Sequence, residues 1–397
     1  MIDADVAIVG AGAAGLSLAH WLSVLSGPAG SPSVVLLDAP EGPLRPPRRT
    51  WCFWEHGPGP YDAAVTASWQ RLEVHGPRGE RVDGGIAPLR YKMVRSDDFE
   101  ALVARVLDGH GVVRRVEATV DAVHDAPGGS EIHGRAADGS PLALRARWAF
   151  DSRPLEVPPP ARTTLLQHFR GWFVRTRRPA FAPDTVGLMD FRTPQPDRGL
   201  SFGYVLPTGR HEALVEYTEF SPAVLADGAY DDALRHYTED VLRLGPFERL
   251  GTESGVIPMT DASFARRTGD STFRIGVAGG ATRPSTGYSF AATQRQARAV
   301  AAALHAGRRP VPPPPHPARS RAMDAVMLRA LDAGRVDGAE FFLRLFRGVP
   351  PRRLLRFLDG RTRLHEDLSI GLHVPFLPML RTAAELPRLP RRPQSGA

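Results

Sequence analysis

Residues 5–18 read DVAIVGAGAAGLSL, and this stretch decides the fold. Val6 to Val9 form an apolar run of buried-strand type, Gly10, Gly12 and Gly15 follow at once, and Leu16, Leu18, Ala19, Leu22 and Leu25 then recur at helical spacing. In a G-x-G-x-x-G placed between strand and helix, the first glycine permits the tight turn and the second lets a pyrophosphate approach the backbone. The third lets helix and strand pack closely. The first N–H groups of the helix and its dipole favour an anion at that end. A second apolar run, Val34-Val35-Leu36-Leu37, ends in Asp38, well placed to accept hydrogen bonds from a ribose. These residues predict a Rossmann-like dinucleotide site and leave FAD and NAD both open.

Outward from this core, the composition is that of a globular protein large enough for two domains: 397 residues, 42% hydrophobic and 23% charged. No uninterrupted apolar run is long enough to predict a spanning helix, and the N-terminus enters a strand without the basic region of a signal peptide. The single cysteine, Cys52, excludes an intrachain disulfide framework and fits a reducing cytosol. The net charge of +7 suits an anionic membrane surface. Acidic residues interspersed throughout, with no basic–aromatic module, argue against nucleic acid. The 13 histidines show no metal-ligand spacing, so no metal is expected.

Further along, Ser96 is read as the N-cap of a helix whose first turn carries Asp97 and Asp98. Alternating segments around Val112–Val116, Ala118–Val123 and Leu142–Trp148 predict a small β-meander, and residues 163–260 read as strand-rich. A Gly-rich turn from Gly276 to Phe290 leads into a second helix, and from about Met323 the pattern is helical, ending in a Pro/Arg tail.

With these elements in place, the chain resembles the flavin-dependent lycopene cyclases of the bacterial β-cyclase type. The resemblance is carried by the fingerprint, Thr50-Trp51-Cys52-Phe53-Trp54, Tyr91-Lys92-Met93-Val94-Arg95 and Gln167-His168-Phe169-Arg170-Gly171-Trp172. It continues through Met189-Asp190-Phe191-Arg192, Phe202-Gly203-Tyr204-Val205-Leu206-Pro207, Ala213-Leu214-Val215-Glu216-Tyr217-Thr218, Gly255-Val256-Ile257-Pro258-Met259 and the Gly276–Phe290 turn. It implies an α/β fold: an FAD-binding, glutathione-reductase-type domain, a second, mostly antiparallel β substrate domain and a helical C-terminal region. The expected division gives the FAD-binding domain residues 1–60, 91–160 and 263–308, the substrate domain 61–90 and 161–262, and the helical region 309–397. Related flavin hydroxylases carry an Asp in a G-D-A segment of the second motif. Gly276-Val277-Ala278-Gly279-Gly280 has no acid there, as in the cyclases.

The implied activity is an intramolecular lyase or isomerase reaction, a lycopene β-cyclisation with reduced FAD required but not consumed and NAD(P)H as reductant. Lycopene or γ-carotene would be the substrate. Protonation of C2 places a cation at C1, the C5=C6 bond closes on it, and loss of the C6 proton leaves a β-ring. Such a site needs a protonated carboxyl held in a desolvated place, aromatic faces toward the cation and exclusion of water.

Glu216 matches the acid of the family and Asp190 is the second candidate; residue by residue, a solvent-facing Glu and an Asp paired with Arg192 are the plainer alternatives. Cofactor contacts are expected from Gly10, Gly12, Gly15, Asp38, Arg95, Gly279, Gly280 and Gly287. Trp51, Phe53, Trp54, Trp172, Phe202 and Tyr204 are candidates to line an apolar channel. Because the substrate lives in membrane, a cytoplasmic protein bound peripherally to the cytoplasmic membrane is expected, with Leu372–Leu380 resting on the bilayer. The rivals are a redox FAD enzyme (a hydroxylase or prenyl reductase), a one-ended monocyclase and a carotenoid carrier.

Overall fold

The structure is a computed structural model describing residues 2–45 and 47–393; the end of the Pro/Arg tail lies outside them. The opening strand, Ala4–Val9, is almost wholly buried and feeds the helix Ala13–Val24. It sits at the centre of five parallel strands in the order Val113–Ala126, Val34–Asp38, Ala4–Val9, Pro141–Asp151, Thr272–Arg274. Burial on both faces explains why these strands read as continuous apolar runs rather than alternating ones. Register brings Val9 level with Leu37 and Asp151, so Gly10, Asp38 and Ser152 emerge together at the carboxyl edge, where open α/β sheets bind ligands. Gly129–Ala136 pairs antiparallel with both Val113–Ala126 and Pro141–Asp151, so the expected meander is present, its first two segments being one long strand.

A second sheet of seven strands runs in the order Phe247–Thr260, Thr164–Thr176, Glu212–Ser221, Leu200–Pro207, Thr185–Asp190, Arg71–His75, Arg81–Gly85. All its pairs are antiparallel except Thr185–Asp190 with Arg71–His75. A small sheet of Thr50–His56, Leu89–Arg95 and Val65–Trp69 joins the two; its middle strand crosses the division placed at residues 90 and 91. Ser96 belongs to the helix Ser96–His110 and does not cap it: Arg95 holds the cap position, and Ser96 Oγ instead accepts a hydrogen bond from Arg49 N at 3.0 Å.

Five helices close the structure: Ala318–Asp332, Gly338–Gly348, Pro351–Leu358, Leu364–Gly371 and Phe376–Glu385. Asp337 caps Gly338–Gly348 by accepting from Glu340 N at 2.9 Å, and Phe342 of that helix stacks on Phe191, just past the strand Thr185–Asp190 of the large sheet. The helical region thus covers one face of the large sheet. On its other face lies the helix Asp227–His236, which the strand-rich reading of 163–260 did not anticipate.

Candidate active site

A cavity of about 1180 Å³ runs from the carboxyl edge of the parallel sheet to the large sheet, larger than the usual pocket for one drug-sized ligand. At its first end the backbone turns at Gly10 with φ +91°, where a Cβ would meet Ser152 Oγ at 2.6 Å. A Cβ on Gly12 would meet nothing within 4 Å, so that side of the turn is open to a ligand. Gly15 does not face the cavity: a Cβ there would lie 1.9 Å from Gly10 O, which is the close packing of helix on turn that the third glycine permits. The helix Ala13–Val24 has no side-chain cap, which leaves its N-terminus to an anion. Asp38 lines the cavity, accepting from Ala11 N at 3.0 Å and facing Arg45 at 3.2 Å.

The middle of the cavity is formed by the turn after Gly276 (φ +63°), through Thr286 and Gly287 (φ +72°). This turn is braced from behind. The buried guanidinium of Arg283 pairs with the buried carboxylate of Asp324 on the helix Ala318–Asp332 at 2.9 Å, and Ser285 Oγ donates to the same carboxylate at 2.7 Å. Gly279 and Gly280 stand behind the turn rather than on the cavity, the first against Arg274 O and the second against Phe264. Arg95 also lies off the cavity, its guanidinium 5.1 Å from the Phe173 ring centre and 3.6 Å from Asp97. The arginines that line the cavity are Arg45, Arg49, Arg153 and Arg274. A bipartite glycine lining, an uncapped helix N-terminus and Asp38 suit a long diphosphate-bridged dinucleotide.

At the far end four residues stand abreast on adjacent strands: Tyr204 opposite Glu216, Glu216 opposite Gly171, and Gly171 opposite Glu253. Directly opposed residues project from the same face, here the cavity face. Glu216 is 7% exposed, and no donor among the described residues hydrogen-bonds its carboxyl group. Burial, and then the nearby Glu253 carboxylate, push its pKa well above the ordinary range. Glu253 is differently placed: Thr50 donates to it from its backbone N and from Oγ1, each at 2.6 Å. Burial is the largest influence on Glu253 and leaves its pKa raised as well, although the hydrogen bonds from Thr50 and the charges of Arg95 and Arg49 offset part of that rise. Glu216 has no such offset, so of the two raised groups Glu253 is the one that ionises first.

Around these carboxyls lies a chain of neutral hydroxyls. Tyr91 joins Tyr204 at 2.5 Å and Tyr288 at 2.6 Å, with the Cys52 thiol beside Tyr204. Burial raises the pKa of all four groups, so each stays protonated. Apolar side chains, Phe202, Phe220, Phe342, Phe346 and Leu358 among them, complete this end. This end carries neutral hydroxyls and apolar side chains around one carboxylic acid of strongly raised pKa and one carboxyl held by Thr50.

The structure brings Glu216, Trp51, Phe202 and Tyr204 to the cavity. Asp190 does not reach it: its carboxylate receives Arg192 Nε at 2.8 Å, Arg192 N at 3.1 Å and Tyr237 Oη at 3.0 Å. Trp172 points to the opposite face of the sheet, against Phe247 and beneath the guanidinium of Arg249. Phe53 and Trp54 back the cavity wall from behind, on Phe290 and Tyr288. His168 is fully buried on that opposite face between Ser221 and Tyr230, and burial pushes its pKa down to about 4, so it is a neutral structural histidine. Glu253, Cys52, Tyr91 and Tyr288 were not singled out as chemistry. Glu253 carried one available signal, an acid at the same strand phase as Gly255 and Ile257.

A protein-family profile described as "Lycopene cyclase protein" matches residues 5–384. No curated protein matches the chain. Among solved structures, a geranylgeranyl bacteriochlorophyll reductase-like protein from Thermoplasma acidophilum superposes with a TM-score of 0.59 at 13% identity, covering 96% of each chain. The p-nitrophenol 4-monooxygenase PnpA from Pseudomonas putida gives 0.59 at 14% identity, covering 98% of this chain and 99% of that one. The flavin-dependent monooxygenase PieE, solved with FAD and substrate, gives 0.58 at 13% identity, covering 97% of this chain and 72% of that one. The fold is that of these flavoproteins.

Proposed function

The chain belongs to the lycopene cyclase family, and on that premise we propose that it closes the linear end group of an acyclic carotenoid to a β-ring, with reduced FAD bound and no net redox change. The observation that carries this reading is Glu216, a buried carboxylic acid of raised pKa on the wall of a cavity lined by aromatic side chains. A hydrocarbon substrate offers no heteroatom, so the only handle is a proton delivered to a C=C bond, and Glu216 is built to deliver one. Proton transfer from Glu216 to C2 gives a tertiary cation at C1. The C5=C6 electrons form the C1–C6 bond, and the proton lost from C6 restores the acid, so atoms and charge balance. Phe202 and Phe220 exclude water that would quench the cation, and Tyr204 offers it a π-face. Gly10, Gly12, Asp38, Gly276 and Gly287 would hold FAD, and its reduced ring would supply negative charge that favours a nearby cation. NAD(P)H is the proposed reductant.

We place the substrate entrance at a membrane. Among the described residues no helix is long and apolar enough to cross one. Yet Leu364, Leu368, Leu372, Phe376, Leu377 and Leu380, on and between the helices Leu364–Gly371 and Phe376–Glu385, are each more than half exposed, and Arg361, Arg363 and Arg381 lie close to them in sequence. A patch of this kind marks a surface that meets apolar material.

The test is co-expression with lycopene synthesis in a colourless bacterial host. An isobaric, blue-shifted product is expected, and Glu216→Gln should cost at least about a hundredfold in product while retaining FAD. The second reading, a redox flavoenzyme, is favoured by the reductase-like and monooxygenase neighbours; a product shifted by two hydrogens or one oxygen would establish it and refute cyclisation.

A further inference from the structure

The strand Phe247–Thr260 contributes a carboxylate that the cyclisation chemistry above does not use. Glu253 stands across Gly171 from Glu216, on the same face of three adjacent strands. Gly171 puts no side chain between them, and the Glu216 side chain leans over it: a Cβ on Gly171 would lie 2.6 Å from Glu216 Cγ. Both carboxylate oxygens of Glu253 are occupied by Thr50, the first residue of the strand that also carries Cys52. Hydrogen bonds of this kind favour the charged form. Glu216 receives none.

We propose that Glu253 is a positioning residue for the acid: a carboxylate pinned by Thr50 and set across the Gly171 gap, whose fixed charge holds the proton on Glu216 until a substrate double bond is aligned. This rests on reading Glu216 as the donor. The other titratable groups facing the pair are Tyr204 from Leu200–Pro207, Cys52 from Thr50–His56, Tyr91 from Leu89–Arg95 and Tyr288 from the Gly-rich turn, all neutral. The cations are Arg49 and Arg95, and both act on Glu253 rather than on Glu216. Glu253 is thus the one fixed charge among the described residues that acts on the acid. It does so without touching substrate: no bond to it forms or breaks.

The arrangement makes a directional claim about pH. Above the pKa of Glu216 the donor is lost, so turnover falls on the basic limb of its pH profile. Removing the neighbouring negative charge lowers that pKa, so the limb moves toward acid. In the FAD-loaded full-length protein, Glu253→Gln should shift the basic limb down by about one pH unit, whereas Glu253→Asp, which keeps the charge, should leave it near the parent. The infrared carbonyl band of the protonated acid, assigned by its loss in Glu216→Gln, should titrate at correspondingly lower pH in Glu253→Gln without any turnover being measured. Flavin absorbance checks that each variant is folded and loaded. A Glu253→Gln protein with a lower rate but an unmoved limb and band would overturn the proposal and leave Glu253 a clamp for Thr50. An active Glu216→Gln protein would instead sink the acid assignment on which it rests.

Discussion

Gly171→Ala tests the geometry of the chamber with one methyl group. Built on the present backbone, that methyl lies 2.6 Å from Glu216 Cγ, 2.8 Å from Leu214 Cδ1 and 3.3 Å from Glu216 Oε1. Carbon atoms rest at about 3.5–4.0 Å, so the Glu216 side chain must retreat by about 1 Å. A misplacement of that size costs about a hundredfold in rate, or about 2.7 kcal/mol in the barrier. Overpacking at a tight core position destabilises by about 1–3 kcal/mol. The control is Gly203→Ala, whose Cβ would meet the Tyr237 ring at 2.0 Å on the opposite face of the same sheet. It should cost at least as much stability yet leave turnover per folded, flavin-loaded molecule within a few-fold of the parent. The assay pairs urea unfolding midpoints with carotenoid product per mole of bound flavin. If Gly171→Ala turns over within about threefold of the parent, the acid does not depend on the gap, and the argument from cross-strand register fails.

Asp190 gives the contrasting case. Asp190→Asn should destabilise by about 1–3 kcal/mol, since Arg192 and Tyr237 are both built onto that carboxylate, while activity per folded molecule stays within a few-fold; a hundredfold rate loss at normal stability would restore Asp190 as a reacting group. On the last helices, Leu368→Glu with Leu372→Glu removes two of the six exposed apolar side chains. Each buried leucine is worth about 1.5 kcal/mol or more, so partitioning onto phosphatidylcholine–phosphatidylglycerol vesicles should fall at least about a hundredfold; sedimentation unchanged from the parent would move the membrane face elsewhere.

The nucleotide end was legible because its signals are contiguous: strand, glycines, helix and trailing acid all fall within residues 6–38. The acid end is assembled from strands far apart in sequence, and two different losses of information follow. Glu253 meets Glu216 only through register on the intervening strand Thr164–Thr176, which no local pattern encodes. Trp172 is a channel candidate only as one of a group of aromatics, and its own strand, Thr164–Thr176, shows no hydrophobic alternation that would give its face. With helices over both faces of the sheet, Glu212–Ser221 is buried at nine of its ten positions, so period-two patterning could not say which phase points inward. Asp190 shows a third limit. An Asp two residues before an Arg suits an ion pair and a catalytic acid equally well, and only the Tyr237 hydroxyl, brought in by an unforeseen helix–turn segment, separates the two.

The Arg283–Asp324 bridge ties the Gly-rich turn to the helix Ala318–Asp332. That helix is in turn joined to Phe376–Glu385 through Arg329, which donates to Glu385 at 2.8 Å. The turn that would cradle the cofactor and the helices that carry the apolar ridge are therefore links in one chain of buried or half-buried ion pairs. Any coupling carried by such a chain would be reciprocal: a ligand that steadied the turn would steady the ridge, and a partner on the ridge would return the same free energy to the turn. On the proposed reading, loading with cofactor and landing on a bilayer would be two readings of a single equilibrium.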